Sequence, residues 1–377
     1  VYHTGQWPHK PINFAGKIVS VVGTGSTGIQ AIPEIAKQAK KLYVLQRTPN
    51  FSVPARNKPL AKNFQPKFIK DIEYWRAKML ESRHGHPWVA PNRQVETTDP
   101  EKRVEIMEAA WLHGGLSFRE SFDDVLFSQK SNKIMSEFIC QKITEIVKDS
   151  ETAQKLLPND HPFGTKRPPI DTHYFETFNR DNVQLIDLRR NPISGCNKNG
   201  LRLNDGILIK TDAIVFATGF DAMTGSIERL NLKGKAGLTL SDVWHAGPKT
   251  YLGLTVPGFP NLFTITGPGS PSVLTNMPRS IEQHVDWIIN LISYMIQSDF
   301  AEVSTSEIAA KKWTKHVTDV ANRTLLPRAN HSWYLGANIP GKPRVFMPYA
   351  NGLNNYRKYC DEVAAENYPG LVFTKSN

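Results

Sequence analysis

The chain has 377 residues, enough for two domains that each bury a core. Its 46 Lys and Arg against 35 Asp and Glu give a net charge of +11, but the basic residues are spread without a run of about five or six, so the charge does not predict a nucleic-acid partner. Cys140, Cys196 and Cys360 stand far apart in no CxxC or His-rich setting, which excludes a disulfide framework and a metal site and fits a reducing, cytoplasmic compartment.

Val1 replaces the usual Met and leads directly into ordered-looking sequence, so an N-terminal part is expected to precede it. Residues 17 to 28, KIVSVVGTGSTG, run from a β-branched strand into a glycine-spaced turn. This order predicts a dinucleotide site. Gly23 permits the tight turn, Gly25 lets a pyrophosphate approach bare backbone, and Gly28 lets the following helix pack close to the strand. Ile29, Ala31, Ile32 and Ile35 form the apolar face of that helix, whose N-terminal N–H groups would face the phosphates.

A second strand, 41 to 48, ends where the ribose-binding acid of an NAD site should stand, about 20 residues past the glycines. That place holds Arg47. A guanidinium there either grips a 2′-phosphate, which predicts NADPH, or is a solvated surface residue. After the proline-punctuated stretch Pro49 to Pro59, residues 61 to 158 carry long helical patterns, broken by a loop at 85 to 91. Strands resume at Val183–Asp187, Gly206–Lys210 and Ala213–Ala217 and are expected to close the interrupted α/β domain. Ala217–Asp221 ends its apolar strand in a small-residue turn suited to a nucleotide or a ring system. One strong amphipathic helix is predicted from about Ser280 to Met295. No apolar run approaches the ~20 residues of a membrane span, so no stable membrane insertion is expected.

Two dinucleotide features in one chain resemble the flavoprotein oxidoreductases that hold FAD and NADPH in separate domains. Narrower matches follow. Residues 2 to 8, YHTGQWP, resemble the C-terminal part of the HxxxWP fingerprint of Baeyer–Villiger monooxygenases, with His3 and Trp7 in its defining places. Gln46–Pro49, Gly164–Arg167, Ala217–Gly225, Gly247–Gly253, Gly267–Ser272 and Trp333–Asn338 are similar to the same family, so the resemblance covers essentially the whole chain.

The resemblance implies an α/β fold with two Rossmann-like dinucleotide-binding domains and a helical insertion, the FAD domain lacking its N-terminal part. The expected division is 1–53 with 163–216 for NADPH, 54–162 for the insertion and 217–377 for the C-terminal part of the FAD domain. The missing FAD-binding segment is expected in the parent chain. The implied reaction uses NADPH, FAD and O2 to insert one oxygen atom beside a ketone carbonyl, giving an ester or lactone. Alternatives are a related N- or S-oxidising flavin monooxygenase and a catalytically incomplete NADPH-binding fragment.

The family implies that Arg167 is the catalytic cation, a role chemistry supports because a guanidinium stabilises an anionic oxygen without giving up its proton. Cofactor contacts are implied for Gly23, Thr24, Gly25, Ser26, Thr27, Gly28, Gln30, Arg47, Thr48, Lys166, Ala217, Thr218, Gly219, Met277 and Trp333. Lys166 would meet the 2′-phosphate; a solvated Lys166–Arg167 pair is the other reading. Trp333 would meet the nicotinamide nucleotide from a loop made flexible by Gly336, Asn338 and Gly341, or else be a core residue. Ser272, Val273 and Leu274 would shape the ketone pocket. His3 is expected to be structural rather than catalytic. Pro278–Arg279 departs from the aliphatic residues of close relatives, which bears on substrate size and loop shape.

Overall fold

The computed structural model describes residues 1–62, 64–87 and 91–375. They fall into two compact units, Val1–Pro59 with Ala90–Phe220, and Leu60–Val89 with Asp221–Asn377.

The strands of the first unit, in chain order, are β1 (Tyr2–His3), β2 (Ile18–Val22), β3 (Lys41–Gln46), β4 (Val53–Pro54), β5 (Ile170–Asp171), β6 (Val183–Asp187), β7 (Ile193–Asn197), β8 (Gly200–Leu203), β9 (Leu208–Lys210) and β10 (Ala213–Phe216). Five of them form a parallel sheet in the order β1-β10-β2-β3-β6. Its register pairs Val21 with both Val215 and Val44. Alternation along the strands decides which face each side chain serves. Val19, Val21, Leu42 and Val44 pack beneath helix α1 (Ser26–Gln38), which buries Ile29, Ile32, Ile35 and Ala36, while Ala31 is only half-buried. Val22, Leu45 and Ile214 face the other way, where the antiparallel sheet β7-β8-β9 covers them with Leu201, Leu203 and Ile209. The expected strand Gly206–Lys210 therefore does not extend the parallel sheet. It shortens to β9 and pairs with β8, because Ile209 is needed as cover for the second face.

Within the stretch 54–162, residues 54–59 and 90–162 group with the first unit and 60–89 with the second. The cause is a shared core. Trp111 in helix Pro100–His113, Phe118, and Phe138 in helix Gln129–Ile146 meet edge-on or stacked at 5.6–6.1 Å, and Phe118 lies 5.8 Å from Phe163. These rings join the same cluster as Val19 and Ile29, each fully buried side chain contributing about 1.5–3 kcal/mol. Of the loop expected at 85–91, residues 88–90 lie outside the described ones.

In the second unit the expected amphipathic helix runs over Met277–Gln297 and buries Trp287, Ile288, Leu291 and Met295. Pro278 lies in its first turn, where a missing N–H costs nothing. Strands β11 (Phe300–Thr305) and β12 (Leu371–Lys375) pair antiparallel. Trp287 Nε1 donates to the Cys360 carbonyl at 2.9 Å and so ties the long helix to helix Leu353–Ala365. Among the described residues no helix is long and apolar enough to cross a membrane.

Candidate functional site

The first unit places its glycine turn at the C-terminal ends of β2 and β10, the edge where open parallel sheets bind ligands. Gly23 adopts φ +108°, and a Cβ there would strike the Ala217 carbonyl. A Cβ on Gly28 would overlap the Gly23 carbonyl oxygen, so the start of α1 can reach the strand only as glycine. Gly25 differs, since a Cβ would meet nothing within 4 Å. It is the N-cap of α1 and no side chain caps that end, which leaves bare helix N–H groups beside open space. Ser26 and Thr27 open the helix. Thr24 Oγ1 donates to the Thr48 carbonyl at 2.9 Å, joining this turn to the end of β3. Gln30 Nε2 instead donates to the Ile170 carbonyl at 3.2 Å. The Ala217 N–H is held by the Val22 carbonyl at 2.8 Å, whereas Thr218 and Gly219 leave exposed backbone that suits a polar cofactor.

Basic side chains converge beside the turn. Arg47 is exposed after β3, and its charge acts on Lys166, whose side chain is only 14% exposed. Burial lowers the Lys166 pKa, Asp160 opposes this from 4.0 Å, and Arg47 adds to the lowering. Burial raises the Asp160 carboxyl, but the hydrogen bond from His161 and the charges of Lys166 and Arg189 bring it below the usual range. His161 Nδ1 lies 2.5 Å from Asp160 Oδ1, and burial holds the imidazole below its ordinary pKa. A neutral ring must then donate from Nδ1, which leaves Nε2 a buried acceptor with no partner among the described residues. Arg167 is exposed and makes no hydrogen bond or ion pair among the described residues. The Arg47 guanidinium acts on a Lys166 ammonium that Asp160 faces from 4.0 Å, and Arg47 follows the strand whose end is tied to the glycine turn; this set of charges fits a phosphorylated dinucleotide.

His3 is engaged locally. Its Nδ1 accepts from the Gly5 N–H at 3.1 Å, and its ring meets Phe220 edge-on at 6.1 Å. Trp7 is 40% exposed and leans on Tyr2, with ring centroids 5.8 Å apart.

In the second unit Ser272 is buried with φ +44°, a costly conformation for a residue with a side chain, and its Oγ lies 3.9 Å from Met223 Sδ. Val273 and Leu274 are half-buried in the same turn, and Met277 starts the long helix. Arg279 is buried and paired with Glu282. Trp333 is half-buried with its ring 4.5 Å from that of Tyr334, and Gly336 ends its turn at φ +66°. Lys342, farther along this loop, pairs with Asp221 and with Glu228 at 3.7 Å. Sequence reasoning missed Asp160, His161 and Lys342, because no local motif marks a countercharge. No group of His, Cys, Asp and Glu suited to a metal occurs among the described residues.

No model of a known protein family matches the chain. A Baeyer–Villiger monooxygenase of Pseudooceanicola batsensis is 39% identical over 99% of this chain and 68% of its own length. Cyclohexanone 1,2-monooxygenase of an Acinetobacter species is 38% identical over 98% of this chain and 68% of its own length. The crystal structure of OTEMO in complex with FAD and NADP superimposes with a TM-score of 0.94 at 37% identity, over 99% of this chain and 70% of that one. With identities of this size over nearly every residue, the chain belongs to the Baeyer–Villiger monooxygenase family.

Proposed function

We propose that the chain is an FAD- and NADPH-dependent monooxygenase that converts a ketone, O2, NADPH and a proton into an ester or lactone, NADP+ and water. The observation that carries this reading is the glycine turn, with open space at Gly25 and its end tied to the strand that carries Arg47, whose charge acts on Lys166. NADPH supplies the reducing equivalents and bound FAD the activation of O2.

The residues of this chain bind, orient and stabilise. Gly23–Gly28 and the first turn of α1 hold the pyrophosphate, with Thr24 and Thr48 fixing the turn. Arg47 and Lys166 grip the 2′-phosphate. Arg167 presents a permanent positive charge where negative charge develops on oxygen, and it keeps its own protons. FAD binding is assigned to residues 217–377, with Ala217–Gly219 and Met277 among its contacts. Ser272, Val273 and Leu274 shape the ketone site, and Trp333 meets the nicotinamide nucleotide. A cytoplasmic location fits the three free cysteines. The test is incubation of the FAD-reconstituted enzyme with NADPH and a cyclic ketone, an amine and a sulfide in parallel. Lactone is the expected product; N-oxide or sulfoxide without lactone overturns the reading.

A further inference from the structure

Lys166 Nζ and Asp160 Oδ2 lie 4.0 Å apart, close enough for attraction and too far for a hydrogen bond. The other Asp160 oxygen is occupied by His161 Nδ1 at 2.5 Å, and the His161 ring is wedged edge-on against Phe51 at 5.3 Å. The carboxylate is thus anchored on its far side. It faces Lys166 as a countercharge from 4.0 Å, and among the described residues the three ammonium N–H donors make no hydrogen bond.

We propose that Asp160, anchored by His161, is a positioning residue for Lys166 that neutralises it at a distance, leaves its donors to the 2′-phosphate, and so tunes discrimination between NADPH and NADH. The inference rests on the 2′-phosphate reading above and adds residues that no motif marks.

The charged groups around Lys166 come from three places: Arg47 from the end of β3, Asp160 from the same loop, and Arg189 beyond β6, which acts on Asp160. Only Asp160 is negative. Without it, a largely buried ammonium faces Arg47 unopposed and gives up its proton more readily as pH rises. Binding the 2′-phosphate then requires proton uptake. Each unit by which the Lys166 pKa falls weakens binding by up to about tenfold once the pH exceeds it.

The experiment is titration of NADP+, NAD+, adenosine 2′,5′-bisphosphate and 5′-AMP by calorimetry at pH 7.0 and 9.5, on the parent and on Asp160→Asn, Asp160→Glu, His161→Phe and Lys166→Ala. Expected for Asp160→Asn is about tenfold weaker NADP+ and bisphosphate binding at the higher pH, a much smaller change at the lower pH, and unchanged NAD+ and 5′-AMP binding. Asp160→Glu should restore the parental profile, and His161→Phe should show the same added sensitivity in weaker form even if Asp160→Asn folds poorly. A parental pH profile, tighter NADP+ binding at both pH values, or equal weakening of NADP+ and NAD+ in Asp160→Asn overturns the proposal. If Lys166→Ala keeps the parental NADP+ preference, the 2′-phosphate reading itself fails. If Lys166→Ala loses that preference while Asp160→Asn is silent, only the role of Asp160 fails.

Discussion

Gly28 and Gly23 approach so closely that a Cβ on Gly28 would overlap the Gly23 carbonyl oxygen, while Gly25, between them, faces open space. The two outer glycines serve packing, and the open space at the middle one is where the proposed pyrophosphate site lies. Gly28→Ala is therefore expected to destabilise the fold by about 1–3 kcal/mol through overpacking against backbone. Gly25→Ala should keep parental stability, since its φ of −80° suits any residue, and should weaken NADP+ binding by intruding on the pyrophosphate. Thermal denaturation with a parallel NADP+ titration separates the two; equal loss of stability in both variants would refute the division of roles.

Arg47 is exposed and bonded to no acid among the described residues, so its removal should cost the fold little. Arg47→Ala is expected to weaken NADPH binding roughly tenfold or more, the loss of one charge-assisted contact of about 1.5–3 kcal/mol, and to leave NADH binding unchanged. Dissociation constants for the two nucleotides measure it directly.

Arg167→Ala should separate binding from chemistry. NADPH still has Arg47, Lys166 and the glycine turn, so its affinity is expected to remain within a few-fold. Ester or lactone formation should fall by about 10²–10³, the usual cost of removing one stabiliser of developing oxygen charge. Product yield at saturating NADPH is the measurement, and near-parental turnover would remove Arg167 from the catalytic role.

His284 is fully buried in the second unit, accepts from the Thr266 N–H at 2.9 Å, and burial lowers its pKa to about 4. The unfolded chain therefore binds a proton near pH 6.5 that the folded chain refuses until about pH 4. Stability is fully present above pH 6.5 and is lost as pH falls through that window, by about 3 kcal/mol in total. His284→Gln, which keeps an acceptor for Thr266, should flatten this acid limb in urea unfolding measured between pH 7 and 4. An unchanged slope would show that other groups cause it.

Much of this protein is written locally. The strand, glycine turn and helix over residues 17 to 38 follow from β-branched alternation, glycine spacing and an apolar helical face. The structure forms them as β2, the turn and α1. Val183–Asp187, Ala213–Phe216 and the long helix at Met277–Gln297 were legible for the same reason; Arg47 was singled out by its offset from the glycine turn, and Lys166 and Arg167 only by resemblance to the family's motif. What depends on distant partners was not legible. Residues 60–89 and 90–162 share one helical composition, yet they belong to different units because Trp111, Phe118 and Phe138 find their core against Phe163. Leu208–Lys210 became cover for a face rather than a parallel strand, since only the assembled sheet reveals that Val22, Leu45 and Ile214 need burying. The countercharge at Asp160 likewise exists only in three dimensions: a sequence shows that an acid precedes a lysine by six positions, but the distance between their charges, the anchoring imidazole and the repelling Arg47 are set by how the loop folds.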